Sequence, residues 1–248
     1  MEALAGFTAL QIAVAITATF AAAFVRGLAG FGMAILMVPV LALALTPVEA
    51  VLVTNFVALF LGLTEIRWIT RTAERSAWTL SGLVLLSTAP GLILLAATPR
   101  DLATFLIALV ALSAFGAILL PKRAADLPGR VNTVLTGISS GLLTGFAGMP
   151  GPPVVPYYVG RDIKRTMAKA SMLLIFTIAA FAGLGSGLAI GELRWGQLIL
   201  ALILFPVVIV GNWLGTLAFG KISDSVWRGF TALVLGAAAA AALVKLVA

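Results

Sequence analysis

The sequence predicts an all-α membrane protein of about ten helical segments, arranged as two inverted repeats of five segments. The first observation is composition: 62% of the 248 residues are hydrophobic and 10% are charged, which is far too apolar for a soluble domain. The second is a series of charge-free runs, several of them longer than the about 20 residues with which an α-helix crosses about 30 Å of hydrocarbon. The third is that two glycine-rich stretches recur at one constant spacing in the two halves of the chain.

Apolar runs bounded by charged or helix-breaking residues define the segments. They cover residues 7–25, 28–45, 48–63, 77–97, 102–120, 131–147, 150–160, 168–190, 195–219 and 227–247. The stretch 121–130 is the longest polar connection between the halves. We therefore place the first transmembrane repeat at 1–120, a cytoplasmic linker at 121–130 and the second transmembrane repeat at 131–248.

Local signals bound the segments of the first repeat. No basic residue precedes the first apolar run in Met1-Glu2-Ala3, so we expect 7–25 to be a retained helix and not a cleaved signal peptide. Trp78 opens the fourth segment and Pro90 interrupts it near its middle. The dipeptide Arg100-Asp101 precedes the fifth segment.

The same signals recur in the second repeat. Trp195 opens the ninth segment, Pro206 interrupts it, and Ser223-Asp224 precedes the tenth. The seventh segment, 150–160, has only 11 residues, which favours a re-entrant path. Segments 1–2 and 6–7 can each form a complete or a re-entrant hairpin, because both return the chain to the same side. Between eight and ten segments are therefore expected, two of them open to a re-entrant interpretation.

The basic residues indicate the orientation. Five segments per repeat is an odd number, so the second repeat must enter the membrane from the opposite side. With the N-terminus outside, 13 of the 16 Lys and Arg residues lie inside, as the positive-inside rule requires. These are Arg26, Arg67, Arg71, Arg75, Lys122, Arg123, Arg130, Arg161, Lys164, Arg165, Lys169, Lys221 and Arg228. Both termini are therefore expected outside.

The two glycine-rich stretches fall where membrane helices should break. Gly27, Ala29, Gly30 and Ala50 correspond to Gly145, Ala147, Gly148 and Ala168 with one shift of 118 positions (145 − 27 = 118). Glycine-rich interruptions at corresponding positions of two apolar halves indicate the central site of a transporter. We predict that the breaks at 27–33 and 145–153 meet in the protein interior and line one cavity.

The second break contains three prolines between 150 and 153, and proline removes a backbone donor and clashes with the preceding helical turn. Irregular backbone at membrane depth persists only where it is buried in protein or lines a wet cavity. A helix that starts there has unpaired N–H groups and the positive end of its dipole, which suits an anion. The alternative is a tight turn at the membrane surface.

Polar side chains near the breaks supply further candidates. Arg26 lies beside the first break, and arginine within a membrane is costly unless it is paired or faces water; the alternative is that it only reaches the interface. Asn55, Ser171 and Asn212 could donate to an oxyanion or serve as helix–helix hydrogen bonds. The candidate substrate-binding residues are Arg26, Gly30, Phe31, Gly32, Met33, Asn55, Gly148, Met149, Gly151, Ser171 and Asn212.

Missing residue types narrow the function. The chain has no Cys and no His, and no Asp or Glu lies in the middle of a segment, so the usual metal sites, proton relays and hydrolytic centres cannot be assembled. We expect no enzyme activity, no cofactor and no metal. We attribute the formal charge of +7 to basic residues in cytoplasmic loops and not to a nucleic-acid-binding surface. The expected partners are a small anion and the lipid bilayer. Assembly into a homo-oligomer is a further possibility that the sequence does not decide.

The motifs Gly27-Leu28-Ala29-Gly30-Phe31-Gly32 and Gly145-Phe146-Ala147-Gly148-Met149-Pro150-Gly151, each followed by a proline (Pro39, Pro156), resemble those of the sulfite exporter TauE/SafE family. This family is also described as the toluene sulfonate uptake permease group. Length and layout match over nearly the whole chain, although Phe31, Met149 and Pro150 stand where more glycine is common. The resemblance implies transport of sulfur-containing anions, such as sulfite or sulfonates, across the bacterial inner membrane.

Energetics favour export over uptake for such an anion. An inside-negative potential supplies about 2.3 kcal/mol per elementary charge per 100 mV, and this drives anions out without a coupling ion. The sequence therefore predicts a secondary exporter of a small, sulfur-containing oxyanion with alternating access between the two breaks. The alternatives are a passive anion channel, a carrier of a non-sulfur organic anion, and a membrane scaffold that transports nothing.

Overall fold

A computed structural model of the protein describes residues 6–29, 32–119, 129–159, 161, 163–218 and 224–247. This part of the chain forms eleven α-helices. They are α1 (Ala9–Ala29), α2 (Met33–Ala44), α3 (Pro47–Thr64), α4 (Ile66–Thr72), α5 (Arg75–Ala97), α6 (Arg100–Leu119), α7 (Arg130–Ala147), α8 (Gly151–Val159), α9 (Arg165–Ala189), α10 (Trp195–Ala218) and α11 (Asp224–Val247).

The predicted class, an all-α membrane protein, is confirmed. Among the described residues, five helices are long and apolar enough to cross a membrane. Their spans are Ala9–Leu28, Pro47–Thr64, Arg75–Ala97, Thr166–Ala189 and Trp195–Ala218. All ten predicted segments correspond to helices, and α4 is an addition: its seven residues include Arg67 and Arg71, so it is too short and too polar to have been recognised among the apolar runs.

Five predicted segment starts (77, 102, 131, 168 and 227) come one to three residues after the observed helix starts, because charged residues belong to the first turns. Helix α9 begins at Arg165, three residues before the predicted start at 168, and α11 begins at Asp224, before the predicted 227. A charge-free criterion excludes such residues, although helix ends at a membrane surface readily accommodate them.

The breaks are shorter than predicted. Helix α1 continues to Ala29 and α7 to Ala147, so Gly27 and Gly145 are helical. Their role is close packing. A Cβ atom on Gly27 would overlap the backbone of Asn212 and Gly215 in α10, and one on Gly145 would overlap the backbone of α5. The described interruption between α7 and α8 is 148–150, and α2 follows Gly32 directly.

The prolines of the second break start a helix instead of preventing one. Pro152 and Pro153 occupy the first turn of α8, after Gly151. First-turn N–H groups have no partner within the helix, so proline removes nothing that is needed there, and its fixed φ angle suits the helix.

Helix ends in the two halves obey the shift of 118 positions. Adding 118 to the end of α1 (29) gives the end of α7 (147), and adding it to the start of α2 (33) gives the start of α8 (151). The start of α3 (47) likewise gives the start of α9 (165). Helix packing is symmetric under this correspondence of the two halves. Helix α1 packs along α10 and its counterpart α7 packs along α5, while α3 packs against its counterpart α9 and α6 against its counterpart α11. The inverted relation of the repeats in a membrane stays a prediction.

Helices α2 and α8 are half-length. At about 1.5 Å per residue, the 12 residues of α2 extend about 18 Å and the 9 of α8 about 14 Å, well short of a bilayer core. The far end of α2 lies beside the start of α1, because Gln11 Nε2 donates to the Ala44 carbonyl over 2.9 Å. Helix α8 runs back along the first half of α7, where Thr133 Oγ1 and the Tyr157 hydroxyl are 3.0 Å apart. Helix α8 therefore starts about midway along α7, where Ser140 Oγ donates to the Pro150 carbonyl over 2.8 Å, and α2 starts beside the second half of α1.

Candidate functional site

One cavity lies where the two half-helices begin. Its volume is about 80 Å³, several times the about 10–15 Å³ that one water molecule needs. It is lined by Arg26, Gly32, Met33, Ala34, Ile35, Asn55, Ala58, Leu61, Gly62, Gly148, Met149, Pro150, Gly151, Val155, Leu173, Phe176, Thr177 and Ala180. Residues from both breaks thus share one cavity, and both halves of the chain contribute to its wall.

The backbone at the breaks takes conformations that glycine adopts at little cost. Gly32 precedes α2 with φ 95°, and Gly148 ends α7 with φ 66°, both in the left-handed region. Gly148 also packs closely: a Cβ atom there would lie 3.1 Å from the Val38 side chain of α2. The second break therefore touches the half-helix of the first.

The end of α7 is closed by its own backbone. The Gly148 N–H donates to the Thr144 carbonyl over 2.9 Å, the bond of an αL cap, and the Met149 N–H donates to the Leu143 carbonyl over 3.2 Å. These bonds satisfy the carbonyls of Leu143 and Thr144, and the chain turns at once into α8. Met149 is completely buried in this turn.

The two half-helices differ in what they offer a ligand. The N–H groups of Met33, Ala34 and Ile35 have no intrahelical partner, because they lie in the first turn of α2, and Gly32 provides no side-chain cap for them. In α8, Pro152 and Pro153 have no N–H at all, and α8 offers fewer donors than α2. Each of the two helix starts carries a partial positive charge of about half an elementary charge.

Arg26 brings a full positive charge to the cavity. It lies in the last turn of α1, and its Nη1 donates to Asn212 Oδ1 of α10 over 2.9 Å. The carboxylate of Glu65, which directly follows α3, is near enough to attract the guanidinium. Arg26 is therefore held by a polar partner from the other half of the chain and offset by a nearby acidic residue, as arginine within a membrane requires.

Asn55 places a buried amide group without a hydrogen-bond partner for its Nδ2 atom, among the described residues, in the cavity wall. It lines the cavity, is 2% exposed, and its Nδ2 has no hydrogen-bond partner among the described residues. Gly183 of α9 makes room for it, because a Cβ atom there would overlap the amide. An unpaired buried amide costs about 1–3 kcal/mol, so a bound group that accepts from Asn55 would recover a substantial free energy.

The rest of the cavity wall is mainly apolar. Met33, Ile35, Leu61, Val155 and Phe176 contribute hydrocarbon or aromatic surface. The Thr177 hydroxyl is already bonded to the Leu173 carbonyl over 2.7 Å. Such a wall excludes water and lowers the local dielectric constant, which strengthens the effect of the few polar groups on a charged ligand.

The predicted site residues divide into three groups. Seven line the cavity: Arg26, Gly32, Met33, Asn55, Gly148, Met149 and Gly151. Two do not line it: Asn212 holds Arg26, and the Ser171 hydroxyl accepts from the Glu74 N–H over 2.8 Å near the start of α5. Gly30 and Phe31 lie outside the described residues. Substrate binding by any of them stays a prediction.

Sequence reasoning overlooked most of the wall that α3 and α9 provide. Leu173, Phe176, Thr177 and Ala180 are spaced as one helical face, at i, i+3, i+4 and i+7. Asn55, Ala58 and Gly62 form a similar face on α3. Extending the helical face from Asn55 predicts the residues on α3. The residues on α9 are mainly apolar, so their sequence does not distinguish them from ordinary core residues.

A family model described as Sulfite exporter TauE/SafE matches residues 15–242. A curated relative, named "Probable sulfite/organosulfonate exporter TauE", from Cupriavidus necator, is 26% identical over 108 residues, which are 44% of this chain and 42% of that protein. The match thus spans less than half of the relative. No solved structure matches the chain.

Proposed function

The chain belongs to the sulfite exporter TauE/SafE family, and on this premise we propose that it exports a small sulfur-containing oxyanion, such as sulfite or an organosulfonate, as a secondary transporter. The substrate binds in the cavity between the starts of α2 and α8. Access to that cavity alternates between the two sides of the bacterial inner membrane, with both chain termini outside.

The observation that carries this proposal is the meeting of two half-helix starts at one cavity with Arg26 and Asn55 in its wall. Helix starts attract anions through free N–H groups and the helix dipole. Asn55 adds an unused amide and Arg26 adds a charge whose donors can pair with an oxyanion bidentately. We place the anionic group nearest α2, because α2 has more free donors than the proline-containing start of α8.

The charge balance suits an anion of low charge. Arg26 is the lining residue with a full positive charge among those described, and Glu65 partly offsets it. Expulsion of one negative charge by an inside-negative potential is favoured by about 2.3 kcal/mol per 100 mV, more than a tenfold gradient. Export therefore needs no coupling ion.

The apolar wall makes an organic anion without sulfur the second candidate and, within the first, favours an organosulfonate over sulfite. Met33, Ile35, Val155 and Phe176 could pack against a hydrocarbon group, and each buried CH₂ is worth about 0.8 kcal/mol. An organosulfonate or a non-sulfur organic anion would use this surface, whereas sulfite would not.

Binding is tested by thermal shift of the purified protein with sulfite, methanesulfonate, butanesulfonate, sulfate and acetate, since a ligand specific to the folded state raises the melting temperature. Asn55→Asp is nearly isosteric and adds a negative charge to the cavity, so it should abolish the shift. Asn132→Asp, at an exposed position of α7, is the matched control and should leave the shift unchanged.

Transport is tested in proteoliposomes loaded with the best ligand. A carrier gives saturable flux that is stimulated by substrate on the opposite side, whereas a channel gives current that rises with voltage without saturation. A folded protein that shows neither a thermal shift with these anions nor flux would contradict the proposed function.

A further inference from the structure

A partly buried ion pair joins the two halves of the chain beyond the far end of α8. Arg161, two residues after α8, donates through Nη1 and Nη2 to the two carboxylate oxygens of Glu74 over 2.7 and 2.8 Å. Glu74 is the residue before α5, in the first half. Two parallel charge-assisted bonds fix the relative orientation of the groups as well as their separation.

Aromatic rings enclose the arginine. Its Cζ lies 5.5 Å from the centre of the Tyr157 ring and 5.7 Å from that of Tyr158, within the range of cation–π attraction. The Arg161 side chain is only 5% exposed, and its Nε has no partner among the described residues. The Tyr158 hydroxyl is 2.8 Å from Ser76 Oγ, which donates to Glu74 over 2.9 Å.

Helix α9 is tied in as well, through the Ser171 hydroxyl that accepts from the Glu74 N–H. We call this set the Arg161 cluster; it consists of Glu74, Ser76, Tyr157, Tyr158, Arg161 and Ser171. It connects the α4–α5 turn of the first half with α8 and α9 of the second.

Helix α8 links the Arg161 cluster to the cavity. Its first residue, Gly151, and its middle residue, Val155, line the cavity, whereas Tyr157 and Tyr158 belong to the cluster. Ile69 and Leu174, which are completely or almost completely buried, belong to one hydrophobic cluster with Val155, Tyr157 and Tyr158. Because α8 is only 9 residues long, a shift of its far end must also shift its start.

The corresponding end of α2 is held differently. Its last carbonyls accept single hydrogen bonds: Ala44 from Gln11 over 2.9 Å, Leu43 from Lys245 over 2.8 Å, and Leu45, the next residue, from Arg100 over 3.3 Å. These donors stabilise the negative end of a helix dipole and can be replaced by water. The ion pair after α8 is instead bidentate, with a buried arginine side chain and a glutamate side chain that is 25% exposed. It therefore has two distinct states, formed and broken.

We propose that the Glu74–Arg161 pair is a lock: while formed, it holds α8 against the first half and closes the cavity toward the Arg161 end, and it opens when the cavity faces that side. A buried ion pair adds little net stability compared with apolar residues of the same volume, so its use here is to define one geometry that can be switched. Interfaces that switch commonly do so by exchanging salt bridges. This inference rests on the proposed function in that it takes the cavity to be the substrate site.

The natural absence of cysteine allows a direct test, since any introduced cysteine is the sole thiol in the chain. Ala58→Cys places a thiol in the cavity wall. Its rate of modification by a membrane-impermeant thiol reagent is measured in right-side-out and inside-out vesicles. A separate Lys164→Cys protein, at an exposed position close to Arg161, identifies which vesicles present the Arg161 end.

Arg161→Gln and Glu74→Gln, each combined with Ala58→Cys, should speed modification of the introduced thiol at least tenfold from the Arg161 end and leave the rate from the other side unchanged or lower. Tenfold corresponds to a shift of about 1.4 kcal/mol between closed and open states. Exchanging the charges, Glu74→Arg with Arg161→Glu, should restore slow modification. Arg71→Gln removes an exposed charge from the neighbouring helix α4 and should have no effect.

Unchanged rates in folded single variants would overturn the lock, as would equal acceleration from both sides, which indicates general loosening. If the single variants do not give a monodisperse protein, Ser76→Ala, which removes one bridging hydroxyl, should raise the rate from the Arg161 end alone. The thiol-modification rates are measured without substrate. If the protein binds none of the tested anions, that result counts against the proposed function, while the modification rates still test the lock.

Discussion

Arg26 of α1 and Asn212 of α10 are joined across the two halves of the chain by a hydrogen bond of 2.9 Å between Nη1 and Oδ1. The residue after Arg26, Gly27, lies directly against the backbone of Asn212, which brings the two helices close enough for the bond. Asn212 does not line the cavity, but Arg26 does. Asn212 therefore acts on the cavity by orienting the guanidinium.

The charge of Arg26 should determine anion affinity. Arg26→Gln should raise the half-saturating concentration of the transported anion at least tenfold, equivalent to about 1.4 kcal/mol, because one charge-assisted pair is lost. Arg26→Lys should recover only part of this, since it keeps the charge without the planar fork. Flux is measured against substrate concentration in proteoliposomes. Normal affinity in a folded Arg26→Gln protein would show that backbone N–H groups and Asn55 hold the anion alone.

Asn212→Ala tests whether Asn212 acts through Arg26. Loss of the 2.9 Å hydrogen bond would free the guanidinium from its orientation, so anion affinity should fall, though less than in Arg26→Gln because the charge remains. Adding Asn212→Ala to Arg26→Gln should change affinity little, because the guanidinium that Asn212 orients is already absent. The double-mutant cycle is measured by the same flux assay, and strictly additive losses would argue against this coupling.

The glycines beside the breaks should be intolerant of even one methyl group. Gly27→Ala and Gly145→Ala would each press a Cβ atom into the backbone of a facing helix, with an expected loss of about 1–3 kcal/mol of stability. Gly82→Ala is the matched control: it lies within α5, nothing is within 4 Å of its added Cβ, and helix propensity predicts a gain of up to about 1 kcal/mol. Melting temperatures of the purified proteins compare the three, and equal values would contradict the close-packing role.

Acid should remove the stability that the ion pair contributes. Burial alone would raise the pKa of Glu74, but hydrogen bonds from Arg161 and Ser76 and the charge of Arg161 hold the pKa below its ordinary value of 4.5. Because the folded-state pKa is the lower one, the contribution is complete above pH 4.5 and is lost as pH falls through the folded-state pKa. The difference in melting temperature between wild type and Glu74→Gln should therefore be constant at higher pH and shrink below 4.5. A difference that grows in acid would contradict this assignment.

Apolar runs were sufficient to predict where the long helices lie, because a helix that faces lipid must be apolar along its length. The same criterion missed α4, whose arginines belong to a short helix at a bundle end. The repeat of Gly27 and Gly145 located the breaks to within a few residues, yet the glycines themselves serve helix packing. Small residues occur both at helix breaks and at close helix contacts, and sequence spacing does not distinguish these two roles.

The side chains of the cavity were harder to predict than the backbone. Arg26 and Asn55 were recognised because polar groups are rare in apolar helices, and both line the cavity. Ser171 and Asn212 passed the same criterion, but the rotation of α9 and α10 directs them to Glu74 and Arg26 instead. Helix rotation is set by packing between helices distant in sequence, so a single helix does not reveal it. Phe176 shows the converse, since an apolar residue carries no sign that it faces a cavity.

The pairing of Arg26 with a residue 186 positions later constrains how the protein is made. A ribosome adds about 5–20 residues per second, so roughly 10–40 s pass between synthesis of Arg26 and of Asn212. During that time α1 lies in the membrane before its packing partner α10 exists, with its arginine dependent on water, lipid headgroups or the insertion machinery. The interlocked halves therefore cannot mature one after the other; the first completes its assembly only when the second has been inserted.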